Sequence, residues 1–260
     1  MAQAKLPLTG LKVVEFAGLA PGPFTGLILA DFGADVIRID KVGAGINPDT
    51  LSRGKRSVAV NPKSRSGLRT LRKLIAEADV LIEPFRPGVM EKLGLGPEHV
   101  IDGKGEECTP NPGLVYARLT GFQRQGPYAN MAGHDINYIA LSGVLPMLGQ
   151  AGGPPQFPAN LLADFAGGSL ICLTGILMAL LARGNQKSGN GGKGQVVEAD
   201  MVTGARYVAT FQILMSYIRH PQWQLMFGKG DNATRGTGVL DGAAPWYGVY
   251  KTKDGLWMSV

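Results

Sequence analysis

Residues 11–40 read LKVVEFAGLAPGPFTGLILADFGADVIRID, and this stretch decides the fold. Leu11 to Phe16 is a short apolar run that reads as a buried strand. The following AGLAPGP, residues 17–23, carries Gly18, Pro21, Gly22 and Pro23, a turn composition. From Phe24 to Phe32 the apolar residues fall at helical spacing, and Gly33 closes the helix. Asp35 to Asp40 (DVIRID) is a second strand. Strand, turn, helix and strand make a βαβ unit, which implies parallel strands joined by a right-handed crossover.

Asp40 follows the turn at about the 20-residue distance of a dinucleotide-binding unit. The G-x-G-x-x-G pattern is nevertheless absent, because Gly18, Gly22 and Gly26 recur every fourth residue. Pro21 and Pro23 also remove N–H groups that a pyrophosphate would need. These features argue against a nicotinamide or flavin site.

Working outward, strands are expected at 57–60, 80–83, 114–119 and 195–200. Helices are expected at 66–78, 160–183 and 205–217. Residues 246–251 and 256–260 form the arms of a hairpin about Lys253-Asp254-Gly255. Residues 103–112 and 183–193 are polar surface loops. The fold class is α/β. The last strand signal runs to Val260, so the domain is expected to be incomplete.

The chain has 260 residues, a net charge of +6, 38 Gly and 17 Pro, without collagen-like period or low complexity. The basic balance suits nucleic acid, an anionic membrane, a phosphorylated small molecule, or merely a solvated surface. Cys108 and Cys172 have no metal-like spacing and offer no disulfide framework, as in a reducing compartment. Residues 165–182 carry no charge and reach the lower length limit of a membrane span. Gly167, Gly168, Ser169, Thr174 and Gly175 dilute that run, which favours a buried helix over a span.

His99 and His220 sit in polar or Pro-adjacent surroundings and are expected at the surface. His134 lies in a turn-like stretch leading into an apolar segment. Asp164 opens the long apolar helix and has two readings. It caps free N–H groups, the commoner case, or it works as an acid, base or nucleophile beside an oxyanion-binding helix start. Cations gather at Arg53, Lys55 and Arg56 and recur at Arg38, Lys41, Lys63, Arg86 and Lys92. They form either a solvated basic surface or a rim for dispersed phosphates. No Walker A motif and no aromatic interleaving accompany them, which argues against nucleic acid.

Longer motifs carry a resemblance. GLAPGP at 18–23, LADFGA at 29–34, RGKRS at 53–57 and EPFRPGVMEKL at 83–93 resemble the family III CoA-transferases. GHDINY at 133–138, NLLAD at 160–164 and LDGAAP at 240–245 are similar to the racemase branch acting on α-methylacyl thioesters. The resemblance implies a Rossmann-like parallel sheet with flanking helices. It implies a large CoA-binding domain over 1–220 and a linker with the start of a smaller domain over 221–260. His134 and Asp164 would flank the α-carbon as an acid/base pair. A backbone N–H at the start of the Asp164 helix would hold the enolate oxygen.

The positions implied for CoA and substrate are Arg38, Lys41, Ala59, Val60, Asn61, Lys63, Arg86, Lys92, Gly133, Asp135 and Tyr138. Met131 and Met147 would offer the acyl chain an apolar surface, core packing being the alternative role. The resemblance further implies 2-methylacyl-CoA substrates, no metal or redox cofactor, and an interlocked homodimer. The compartment would be peroxisome or mitochondrion in a eukaryote, and cytoplasm otherwise. Family racemases also carry a Glu beyond the position of Val260, so the chain by itself is expected to be weak or inactive. A transferase using Asp164 as nucleophile, and a non-catalytic CoA-ester-binding fragment, are the other readings.

Overall fold

The structure is a computed structural model that describes residues 5–43, 45, 49–185, 187, 189, 191–217 and 235–260. β1 (Lys12–Phe16) leads into α1 (Pro21–Asp31) and then β2 (Asp35–Asp40). β3 (Arg56–Ala59), α2 (Arg65–Ala76) and β4 (Val80–Glu83) follow, with the one-turn helices α3 (Val89–Lys92) and α4 (Pro97–Val100). β5 (Val115–Thr120) and α5 (Asp135–Ser142) precede a π-helical segment (Leu161–Leu170) that continues into α6 (Ile171–Gly184). β6 (Val196–Asp200), α7 (Met201–Val208) and α8 (Thr210–Tyr217) come next. A hairpin of β7 (Val249–Lys251) and β8 (Trp257–Ser259) ends the chain.

The sheet has the order β3-β2-β1-β4-β5-β6, with every pair parallel. This is the Rossmann-like arrangement expected from the sequence. Its order reverses between β1 and β4, the place where open α/β sheets bind ligands beyond their strand ends.

Strand alternation builds two cores. Val13, Val36, Val80, Ile82, Val115, Ala117 and Leu119 turn to the face covered by α1, α5 and α6. Val14, Phe16, Leu81 and Tyr116 turn the other way, with Leu71 and Ile75 of α2, Met90 and Val100. The uncharged helix supplies Ala163, Cys172, Ile176 and Ala179, all fully buried, to the first core. Among the described residues, 161–184 is the helix long and apolar enough to cross a membrane, and here it lies on β5 and β6.

Several boundaries differ from expectation. α1 begins at Pro21 instead of Phe24, because a proline's fixed φ and missing N–H suit the first helical turn. The helix expected at 205–217 starts at Met201, where the Asp200 carboxylate accepts the Thr203 N–H at 2.8 Å, and it breaks at Ala209. The turn-like stretch around His134 becomes a helix from Asp135 onward. Within the polar stretch 96–100, residues 97–100 form α4, which leaves His99 half-buried instead of at the surface. His220 lies outside the described residues.

The first ten residues of the long helix are wound as π-helix. Where this segment crosses α7, Gly167 meets Gly204 and Ala205 so closely that a Cβ on either glycine would overlap the opposite backbone. Only paired glycines let the two backbones approach this far.

Candidate active site

Two turns meet at the switch point, 17–20 after β1 and 84–88 after β4. A Cβ on Gly18 would overlap Pro84, so the turns are in direct contact. The second turn carries Arg86, which is exposed, and α3 adds exposed Lys92. Lys41, Asn61 and Lys63 lie at the carboxyl ends of β2 and β3 and are also exposed, as is Ala59 on the edge strand.

The connection 121–134 brings His134 to this same end of the sheet. His134 is the residue before α5, its backbone N–H donates to Asn137 Oδ1 at 3.0 Å, and it is exposed. Asp164 is half-buried in the first turn of the π-helical segment and accepts from Asn160 Nδ2 at 3.0 Å. Burial raises its pKa above the ordinary carboxylate range, and Asp135 adds to the rise. The Asn160 bond and nearby His134 pull it back, which puts His134 within electrostatic reach of Asp164.

Tyr138 lies among the same groups. Its hydroxyl donates to the Gly133 carbonyl at 2.5 Å, and its ring meets Phe122 edge-on at 5.0 Å. Burial raises the Tyr138 hydroxyl first and Asp164 raises it further, while Arg86 lowers it. The structure therefore brings Arg86, Gly133, His134, Tyr138 and Asp164 within one electrostatic neighbourhood.

Other expected positions are placed differently. Asp164 does not cap its helix. The Asp135 carboxylate, buried at 4% exposure, accepts the Ala163 and Asp164 N–H groups at 2.7 and 2.8 Å. Those N–H groups are thus committed within the chain and do not face an enolate, and Asp135 works as a structural clamp in place of a substrate contact. Arg38 is buried and paired with Asp40 at 3.1 Å and with Asp49, since a guanidinium on a central strand persists only when paired. Val60 joins the core, and its N–H continues the ladder to Asp40 O at 3.0 Å.

The RGKR cations each have a carboxylate partner within the chain. Arg53 pairs with Asp31 at 2.5 Å, Lys55 with Glu15 at 2.7 Å, and Arg56 with Asp35 at 2.5 Å. The Glu15–Lys55 pair is buried beneath α1, where a Cβ on Gly26 would overlap the carboxylate. Met131 is exposed near His134, whereas Met147 is half-buried.

Sequence reasoning missed one cluster. Glu83, fully buried at the end of β4, faces Arg118 at 3.5 Å and Arg124 at 3.3 Å, and Arg118 also pairs with Glu91 at 2.5 Å. The signal was available, because Glu83 and Arg118 stand inside otherwise apolar strand runs, where unpaired charge does not persist.

The family described as CoA-transferase family III matches residues 8–260. The chain belongs to the family III CoA-transferases. It is 48% identical over 98% of its length to the alpha-methylacyl-CoA racemase of Homo sapiens, and 47% identical over 97% to that of Mus musculus. It spans 61% and 60% of those two relatives. A CaiB/baiF CoA-transferase family protein of Caenorhabditis elegans is 40% identical over 97% of this chain and 68% of its own length. Among solved structures, a CAIB/BAIF family protein of Brucella suis superposes with a TM-score of 0.76 at 30% identity, covering 98% of this chain and 65% of that one.

Proposed function

We propose that the protein interconverts the (R) and (S) epimers of 2-methylacyl-CoA thioesters by removing and returning the α-proton. The observation that carries this reading is the coupled pair of His134 and Asp164 at the switch-point end of the sheet. An exposed imidazole and a half-buried carboxyl are both groups that can exchange a proton with a carbon held between them. One group takes the proton from the α-carbon, the thioester carbonyl carries the resulting enolate charge, and the other group returns a proton to the opposite face. Charge moves only between side chains and thioester, so the step calls for neither metal nor redox group.

Arg86, Lys92, Lys41 and Lys63 surround this end with exposed positive charge suited to the phosphates of CoA. The racemase names of the 48% and 47% identical relatives support the substrate class. A homodimer is part of the reading, and exposed Leu214, Tyr217, Trp246 and Trp257 are apolar surface that a partner would cover. The transferase reading uses Asp164 as nucleophile and leaves His134 without a role.

The test is α-proton exchange of a 2-methylacyl-CoA in D2O by the unmodified protein, His134→Ala and Asp164→Ala. Exchange that is lowered in both variants, each by loss from one epimer, supports the racemase. Binding of the thioester without exchange in the unmodified protein contradicts it and leaves a binding scaffold, and acyl transfer to a free carboxylic acid favours the transferase.

A further inference from the structure

The turn carrying Arg86 is held from both sides of Phe85. The Phe85 N–H donates to Glu83 Oε2 at 2.8 Å. The Phe85 carbonyl accepts from Arg124 Nη1 at 3.1 Å, and the same nitrogen reaches Glu83 Oε1 at 3.3 Å. The Arg124 side chain is 7% exposed, and its Nη2 lies 3.8 Å from Glu91 Oε1. Arg124 belongs to the connection 121–134, the one that ends at His134, so this guanidinium bridges the turn after β4 and the loop after β5.

Its neighbour Arg118 is engaged differently. Arg118 pairs with Glu91 at 2.5 Å and lies over the Tyr116 ring at 5.2 Å, and it donates no hydrogen bond to the turn among the described residues. With its N–H and carbonyl both fixed, Phe85 sets the direction in which the next residue leaves the turn.

We propose that Arg124 is a positioning residue for CoA binding: it locks the β4–α3 turn so that Arg86 is held toward the phosphates of the thioester. The proposal rests on the reading that Arg86 meets CoA, and it adds the residue that makes that arginine preorganised. The step involves no chemistry of its own, since Arg124 is largely buried and acts through the Phe85 peptide.

The test is the Kd of CoA itself, measured by calorimetry at fixed salt, in the unmodified protein, Arg124→Gln, Arg124→Lys, Arg86→Ala and the double variant Arg86→Ala/Arg124→Gln. Arg86→Ala weakens binding. Arg124→Gln weakens it about five- to tenfold when Arg86 is present but less than about twofold when Arg86 is absent, a coupling of the size seen for groups sharing one function. Arg124→Lys recovers part of the loss, because a lysine keeps one charged nitrogen for Phe85 and Glu83 but lacks the second that lies 3.8 Å from Glu91.

Equal weakening by Arg124→Gln in both backgrounds would assign the residue to general stability and overturn the proposal alone. So would an unchanged Kd in Arg124→Gln beside a weakened Arg86→Ala. An unchanged Kd in Arg86→Ala would remove CoA from this turn and the proposal with it. If the Gln variant does not fold, Arg124→Lys, which keeps the charge but loses the Nη2 approach to Glu91, carries the comparison with a smaller loss that again requires Arg86.

Discussion

The pKa of the Asp164 carboxyl is set by opposing neighbours. Burial and Asp135 push its pKa up, and the Asn160 amide at 3.0 Å stabilises the charged form. Replacing Asn160 by Ala removes a stabilising bond to the carboxylate, so the pKa rises further. The limb of the pH–rate profile at which Asp164 loses its proton therefore moves to higher pH in Asn160→Ala, as the kcat/KM for α-proton exchange against pH will show. Asp135 acts through backbone. Asp135→Ala frees two helix N–H groups and is expected to cost about 1–2 kcal/mol in urea unfolding, the usual size for a lost cap. His134 and Asp164 were legible in the sequence through the resemblance, and their bonding was not. The cap that Asp164 was expected to supply comes from a residue remote in sequence, which no local pattern reveals.

At the scale of elements, the inner strands were legible because they alternate between two buried faces, as Val80, Leu81 and Ile82 do. The one-turn helices α3 and α4 were not, since four residues give no helical period to detect. The π-helical winding of 161–170 also left no sequence trace, although Gly167 marked the place where it would be used. Gly167→Ala would drive a methyl into the Ala205 backbone of α7. It is expected to destabilise the protein by about 1–3 kcal/mol, the range of overpacked cores, and to lower exchange because Asp164 sits on the same segment. A chemical melt reads the first effect and the exchange assay the second.

Across the whole molecule, two carboxyls inside the sheet tie stability to pH. Burial raises Glu15 and Glu83 each to about 7, against the lowering effects of Lys55 for the first and of the Phe85 N–H, Arg124 and Arg118 for the second. Their folded values lie above the unfolded value of 4.5, so the folded state holds protons that the unfolded chain has released. Their contribution is therefore complete below about 4.5 and is lost as pH rises through about 7. Glu83→Gln keeps an acceptor for Phe85 but does not titrate. It should flatten the fall in unfolding free energy between these pH values by about 1–3 kcal/mol, on the scale of 1.36 kcal/mol per pKa unit. Unfolding curves at pH 5, 6, 7 and 8 make the comparison.

The two-sided proton transfer between His134 and Asp164 is tested most directly by following exchange from each epimer separately. Pure (R)- and (S)-2-methylacyl-CoA are incubated in D2O with His134→Ala and with Asp164→Ala, and deuterium at the α-carbon is measured at early times. Two groups on opposite faces predict that each variant loses wash-in preferentially from one epimer, and that the two variants lose opposite ones. Equal wash-in from both epimers in both variants would contradict the account.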